Sequence, residues 1–529
     1  MPVIPNFTAL LTLCVLFLTS YVAMAITRRQ PIPGPLLHKL TSFPYLFHFY
    51  RGTGDKYADK LHRAYGPVVQ LAPRQISVND VAGVRDVFAV SRRLDRPEPL
   101  PFFHNYGSEN LVSTVDGDVH QDRRKPVRNI FSARVAQSDD VTRVILDSAS
   151  GMLDLAKSDM KTSSAVQIKP LIKLALYDIM SLVVYGQEHK LNLVRDAEQR
   201  KAMQADIDYQ DNRELTVAAG FMFLLPQLTI WLRKLGIAPK SINGHSNNDL
   251  VSDKLGRKAL ASLQSSEQEH LDGGHEPLMQ RQYAHFRENG PSPGVPSLEY
   301  ILSDSLDNFW AGVSTTSDGL APLFRYLSLP EHRERQERLR EEIRKATTDA
   351  GVSSPFQLSA EQLKQCAYLE GVIRETLRLH PPIPFSMERI VTKREGSINI
   401  KGYNVPAGWR VSSQAMYMQR QEEIFGDARS WCPERWVDGD AGMKDGREEI
   451  RDMKAHFLAF GAGPRMCLGI NIAFSMMRGI VAGVYGTSKT TISEEKDAPP
   501  KKKRDEEVGV AEGWMAERNR KVWLRFEDA

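Results

Sequence analysis

Near the carboxyl end the run Phe460-Gly461-Ala462-Gly463-Pro464-Arg465-Met466-Cys467-Leu468-Gly469 restricts how this chain can fold more than any other stretch. Its glycines let the backbone pass close to a flat group, and the aromatic at its head can pack beside one. The apolar stretch after it reads as a helix, which puts Cys467 near a helix amino terminus, where unpaired N–H groups and the helix dipole favour a thiolate. Arg465 is suited to pairing with a carboxylate. Taken alone, a cysteine in a glycine-rich loop is more often an inert thiol than a ligand.

The other three cysteines, Cys14, Cys366 and Cys432, form no CxxC pair and no zinc-ligand spacing with histidine, so metal chemistry would have to rest on one cysteine. Four cysteines in 529 residues are too few for a disulfide scaffold and suit a reducing compartment. Hydrophobic residues at 42% and charged residues at 25% are the balance of a globular protein. A net charge of +4 lacks the strong basic stripe of a phosphate-reading surface, which argues against nucleic-acid binding.

From Thr8 to Ile26 the chain carries no charged residue, and a helix of that length just crosses a hydrocarbon core about 30 Å thick. Ala23-Met24-Ala25 has the form of a signal cleavage site, but nothing before Thr8 is positively charged. Arg28 and Arg29 follow the run, which leaves the body on the cytoplasmic side. Residues 1–27 therefore read as a membrane anchor and 28–529 as one body, with Pro31-Ile32-Pro33-Gly34-Pro35 as a stiff spacer.

The body shows no internal repeat and no long Gly/Ser linker. Asp307–Leu329 and Pro330–Ala346 read as helices, the second with the alternating charge of a solvated face. Strand-like runs are Val68–Leu71 with Ile76–Val78, Ile398–Ile400 before a Lys401-Gly402-Tyr403 turn, and Val522–Phe526. The expected class is mainly α with a small β-sheet region. Val217–Ile237, apolar but broken by Pro226, reads as two short helices, either core, a pocket entrance or a membrane contact. Thr487–Val510, with Lys501-Lys502-Lys503-Arg504 between acids, reads as a solvated loop.

Three further motifs precede the cysteine run. Glu375-Thr376-Leu377-Arg378 puts an acid and a base one helical turn apart, upstream of Pro433-Glu434-Arg435-Trp436. His120-Gln121-Asp122-Arg123-Arg124 reads by itself as a charged helix face. Ala311-Gly312-Val313-Ser314-Thr315-Thr316 places hydroxyls beside a glycine that permits local widening of a long helix.

In combination and order these motifs resemble the cytochrome P450 family over essentially the whole chain. The resemblance implies a P450-like haem-binding fold behind an N-terminal transmembrane helix. Its cofactor would be haem b (iron protoporphyrin IX), ligated by Cys467 and cradled by Phe460, Gly461, Gly463, Arg465 and Gly469. His120, Arg124 and Arg389 would hold the propionates, and Glu375, Arg378 and Arg435 would form a buried structural triad. Thr315 and Ser314 would serve proton delivery, although Ser314 stands where the family usually has an acid, and Met476 where many members carry Glu. The cysteine-ligated haem of this family is a standard case of a thiolate favouring O–O cleavage.

The implied reaction inserts one atom of O2 into a lipophilic small molecule, in the manner of fungal secondary-metabolism members. Electrons would come from NADPH through a separate cytochrome P450 reductase, since the chain has no GxGxxG site. The implied location is the endoplasmic reticulum membrane, single-pass, facing the cytoplasm. The rival readings are a haem-thiolate isomerase, dehydratase or peroxide-driven catalyst, for which Ser314 speaks, and a non-catalytic haem sensor.

Overall fold

The computed structural model describes residues 31–51, 53–97, 103–213, 235, 250–265, 275–290, 297–383, 387–437, 446–493 and 520–528. The expected anchor and all but residue 235 of the Val217–Ile237 stretch lie outside them. Among the described residues no helix is long and apolar enough to cross a membrane.

The longer helices are α1 Phe43–Tyr50, α2 Gly54–Tyr65, α3 Val81–Phe88, α4 Gly117–Arg124, α5 Asp139–Asp159, α6 Ile168–Tyr185 and α7 Ala197–Arg213. They continue with α8 Val251–Ser265, α9 Leu278–Asn289, α10 Leu298–Ser328, α11 Arg333–Asp349, α12 Ala367–Leu379, α13 Gly446–His456 and α14 Ile470–Thr487. The strands are β1 Val68–Ala72, β2 Gln75–Val78, β3 Val166–Gln167, β4 Arg389–Ile390, β5 Ser397–Ile400, β6 Tyr403–Pro406, β7 Arg410–Ser413, β8 Ser488–Ile492 and β9 Trp523–Asp528. The mainly helical class with small sheets is as the sequence implies.

Packing is organised around α10. Its start is fixed by Ser297, whose hydroxyl accepts the Tyr300 N–H at 3.1 Å. At 31 residues it runs about 46 Å. It begins well before Asp307, where the sequence pattern placed it. Nearly every residue of α6 is buried, as expected of a helix that is apolar all round, and α6 lies along α10. Gly312 makes that approach possible, since a Cβ there would fall 2.5 Å from Met180 Sδ. The helix is α-helical through Gly312, so the expected local widening is not present and the glycine serves packing instead.

α11 is less solvated than its charge pattern suggests, because Gln336, Leu339, Arg340 and Ile343 turn inward against α14. The larger sheet has the order β1-β2-β7-β4, with β2 and β7 parallel and the other pairs antiparallel. β5 and β6 form a hairpin whose turn holds Lys401 at φ 50° and Gly402 at φ 88°. The third sheet runs β3-β9-β8. Here the expected loop from Thr487 is corrected: Thr487 closes α14 and Ser488–Ile492 is a strand paired with β9.

Candidate functional site: the cysteine loop and its arginines

The cysteine loop is built by its own backbone. The Gly461 N–H donates to Leu458 O at 2.9 Å, Met466 N–H to Gly463 O at 3.0 Å, and Cys467 N–H to Phe460 O at 2.9 Å. Gly461 and Gly463 sit at φ 76° and 70°, which L side chains rarely adopt. A Cβ on Gly463 would also fall 2.1 Å from the Phe88 carbonyl oxygen at the end of α3. Phe460 packs on Phe474 of α14 with ring centroids 5.2 Å apart. Gly469 is the residue before α14, so Cys467 lies next to a helix amino terminus as the sequence implied.

Cys467 is solvent-accessible. The surrounding protein raises its thiol pKa overall, and a hydrogen bond from the Gly469 N–H and the charge of Arg124 offset only part of that rise. Cys366 is buried, and burial lifts its thiol to about 12. Burial and the Glu434 carboxylate raise Cys432. Of these three thiols only Cys467 has both a backbone donor and an arginine acting to favour the thiolate.

Arg465 is more committed than its sequence suggested. Its guanidinium donates to the carbonyls of Thr114 at 2.6 Å, Val115 at 2.7 Å and Asp116 at 3.1 Å, and so clamps the loop to the segment leading into α4. The Gln121 side chain adds a bond to Pro464 O at 3.0 Å. α4 is not the freely solvated face of the alternative reading, because Gly117, His120 and Arg123 are buried. Asp116 caps it by accepting the N–H groups of Asp118 and Val119.

The structure gathers His120, Arg124, Arg389 and Arg465 together with Arg96, which the sequence reading missed. Burial depresses His120 to about 2, and Arg465, Arg96, Arg124 and Arg389 press in the same direction, so its imidazole is neutral. Arg465 is lowered to about 9 by burial and by Arg96, against the pull of Asp95 and Asp116. Arg389 is lowered by burial, then by Arg96 and Arg465, and lies over the Phe88 ring at 5.2 Å. Arg96 donates to Val112 O at 2.7 Å, yet its buried Nε has no hydrogen-bond partner among the described residues. Its only clue in the sequence is an arginine in Asp95-Arg96-Pro97, outside any helical pattern.

Cations packed this closely, with an orphaned buried donor and little acid among them, fit a ligand that brings its own negative charge. In the middle of the otherwise buried α10, Ala311 is exposed and Gly312, Ser314 and Thr315 are half-buried. Thr315 donates its hydroxyl back to Ala311 O at 2.8 Å. Met476 is a buried core residue of α14.

The Glu375, Arg378 and Arg435 triad is formed. Arg378 binds Glu375 through two bonds of 2.8 Å, and Arg435 Nε reaches the same carboxylate at 3.0 Å.

A sequence model of the cytochrome P450 family matches residues 33–512. The chain belongs to that family. Cytochromes P450 are haem-thiolate enzymes with haem b as cofactor, and this chain is a P450 monooxygenase, an oxidoreductase, by that membership. Among its relatives is the cytochrome P450 monooxygenase gsfF of Penicillium aethiopicum, 26% identical over 84% of this chain and 84% of that protein. The monooxygenase FGM1 of Gibberella zeae is 25% identical over 91% of this chain and 92% of its own. The monooxygenase cicH of Emericella nidulans is 23% identical over 84% and 85%. Haem b fits the residues present: its two propionates would supply negative charge to the group formed by Arg96, Arg389 and Arg465, and Gly463 lets the cysteine loop close against the end of α3.

Proposed function

We propose that this P450 inserts one oxygen atom from O2 into a lipophilic small molecule of secondary metabolism, taking electrons from NADPH through a separate reductase. When bound, the haem supplies O2 activation and oxygen transfer. Cys467 would hold the iron through its sulfur, with the Gly469 N–H and the charge of Arg124 working against burial to favour the thiolate. Arg96, Arg124, Arg389, Arg465 and the neutral His120 would hold the propionates. Phe460 and the loop glycines fix the shape of the loop that carries Cys467. Thr315, with its own proton committed to Ala311 O, has its oxygen lone pairs left to hold a water, and Ser314 stands beside it as a neutral donor. Residues 1–27 anchor the chain in the endoplasmic reticulum membrane with the body in the cytoplasm, where a reductase has access.

The observation that carries this reading is the loop cysteine set against a buried group of arginines short of acids. The test is the spectrum of the reduced, CO-bound protein together with turnover. Cys467→Ser should lose the thiolate-specific band and all NADPH-dependent product. A normal band in that variant would show that the ligand is elsewhere.

A further inference from the structure

Ala311, Ser314, Thr315 and Asp318 of α10 stand at i, i+3, i+4 and i+7, so they share one face of the helix. Ala311 is exposed and Ser314 and Thr315 are half-buried, whereas Asp318 is buried. It is covered by Lys169 of α6, whose Nζ lies 2.6 Å from its Oδ1. The Lys169 side chain keeps 18% exposure and that of Asp318 only 6%, so the pair reaches from the surface to the stripe. Lys169 is in the first turn of α6, where the helix dipole disfavours a cation, and no acid in that turn offsets it. An ion pair this dry gains little stability over an apolar pair, because desolvation offsets the attraction. At the next residue the surroundings are apolar: a Cβ on Gly319 would fall 2.8 Å from Met477 Cε and 2.9 Å from Leu377 Cδ2. Pro322 has no N–H to give to the Asp318 carbonyl, so the ladder of helical bonds is interrupted at this residue, a point where water can enter a helix. The hydroxyls of Ser314 and Thr315 can position a water but bring no charge. Asp307, further back on the same stripe, lies a rise of about 12 Å before Thr315, and its charge acts on Arg96. Asp318 lies a rise of only about 4.5 Å after Thr315.

We propose that Asp318 is the proton carrier of this chain, taking protons from solvent beside Lys169 and passing them to a water held at Thr315. The proposal rests on the monooxygenase reading above. That reaction combines O2, two electrons, two protons and the substrate into one hydroxylated product and one water, so two protons must reach the O2 side in each turnover. For each of them the Asp318 carboxylate forms an O–H bond with a proton from solvent, breaks it in handing the proton to the water at Thr315, and ends ionised as it began. The ammonium of Lys169 keeps its charge throughout. Lys169 is a positioning residue, which holds the carboxylate in the dry end of the stripe and favours its return to the ionised form.

The test compares the full-length holoenzyme with Asp318→Asn, Asp318→Glu and the double variant Asp318→Asn with Lys169→Met, in which no lone buried charge is left to unfold the chain. With NADPH, O2 and an NADPH-dependent P450 reductase, and no organic substrate, O2 leaves as hydrogen peroxide after two electrons or as two waters after four electrons and four protons. General acid–base groups contribute about 10²- to 10⁴-fold, so without the carrier the leak to peroxide runs ahead, and the share of electrons ending in water should fall about tenfold or more in both Asn-containing proteins. Asp318→Glu should recover most of that share. The second readout needs no turnover: Asp318→Asn leaves the Lys169 charge uncompensated, which draws electron density into the antibonding orbitals of CO and should move the C–O stretch of the reduced, CO-bound protein to lower frequency. The double variant should bring the band back towards the parent's. A double variant with the parent's share of water would show a purely structural ion pair and overturn the proposal, as would an unmoved C–O band in Asp318→Asn. A parent whose O2 leaves only as peroxide has no proton-rich route to lose, and that result would overturn it as well. A parent that shows the thiolate-specific band but takes up no O2 would overturn the monooxygenase reading and the proposal together, whereas a normal water share in Asp318→Asn would overturn the proposal alone.

Discussion

Replacing Glu375 by Gln tests the triad without changing its shape. Oε1 of Glu375 accepts Arg378 Nη2 at 2.8 Å, Cys432 N at 2.9 Å and Arg435 Nε at 3.0 Å, while Oε2 accepts Arg378 Nε at 2.8 Å and Trp436 Nε1 at 2.9 Å. An amide keeps one oxygen, so whichever way it turns at least two donors face an NH2, and two buried guanidinium groups lose their counter-charge. Breaking a buried ion pair from one side costs about 3–5 kcal/mol. With an unfolding entropy of about 2.1 cal/mol/K per residue, a chain this long changes its midpoint by about 1 °C per kcal/mol. The expected fall in Tm is therefore about 3–5 °C. Calorimetry at one scan rate measures it, with Glu448→Gln as control, since that exposed pair with Arg451 is worth about 1 kcal/mol or less. If Glu375→Gln melts within a degree of that control, the carboxylate is not what holds the two arginines, and the account of the triad is wrong.

Arg465→Lys keeps the charge but cannot span three carbonyls. It should speed haem transfer to apomyoglobin about tenfold or more, and an unchanged rate would mean the clamp is not needed. Gly463→Ala puts a Cβ against the Phe88 carbonyl at a strained φ, so haem content per chain should fall severely, as absorbance against protein concentration would report. Thr315→Ala should divert NADPH consumption into hydrogen peroxide, and unchanged product per NADPH would favour the isomerase or peroxide-driven reading suggested by Ser314. Asp178, raised to about 6 by burial despite the N–H groups of Leu193 and Val194, binds its proton more tightly folded than unfolded. Its contribution to stability is then full below about pH 4 and lost as pH rises through about 6, and Asp178→Asn should flatten that part of the stability profile.

The parts that were legible in the sequence are those whose signal is local. β1 and β2, the β5–β6 hairpin, the helix after Cys467 and the Glu375–Arg378 spacing each lie within a few residues of chain. The start of α10 was hidden because Ser303, Asp304 and Ser305 break its apolar pattern. They are nevertheless buried: Asp304 accepts the Leu111 N–H at 2.7 Å and the Gln282 side chain at 2.6 Å, and Ser303 donates to Ser108 O. β8 was hidden by the polar run Ser488-Lys489-Thr490-Thr491, whose strand character comes from β9, more than thirty residues later in the chain. The carbonyls that bind Arg465 are joined to the cysteine loop across about 350 residues, a separation at which spacing carries no information.

The triad and the thiolate are linked through one buried side chain. Arg378, fixed by Glu375, donates to Gln419 O at 2.9 Å. The Gln419 amide donates to Arg378 O at 2.9 Å, and its oxygen accepts the Leu458 N–H at 2.7 Å. Leu458 O in turn accepts the Gly461 N–H, and Phe460 O the Cys467 N–H. The loop has little regular structure of its own, so this series of bonds ties its entry to α12, while Arg465 ties its far side to the segment before α4. Two tethers on opposite sides fix the backbone that carries Cys467, and the Gly469 N–H alone adds a bond at its sulfur. Loss of the triad should therefore appear first in the thiolate spectrum and only later in helix content, because the helices have their own cores and the loop has only its tethers.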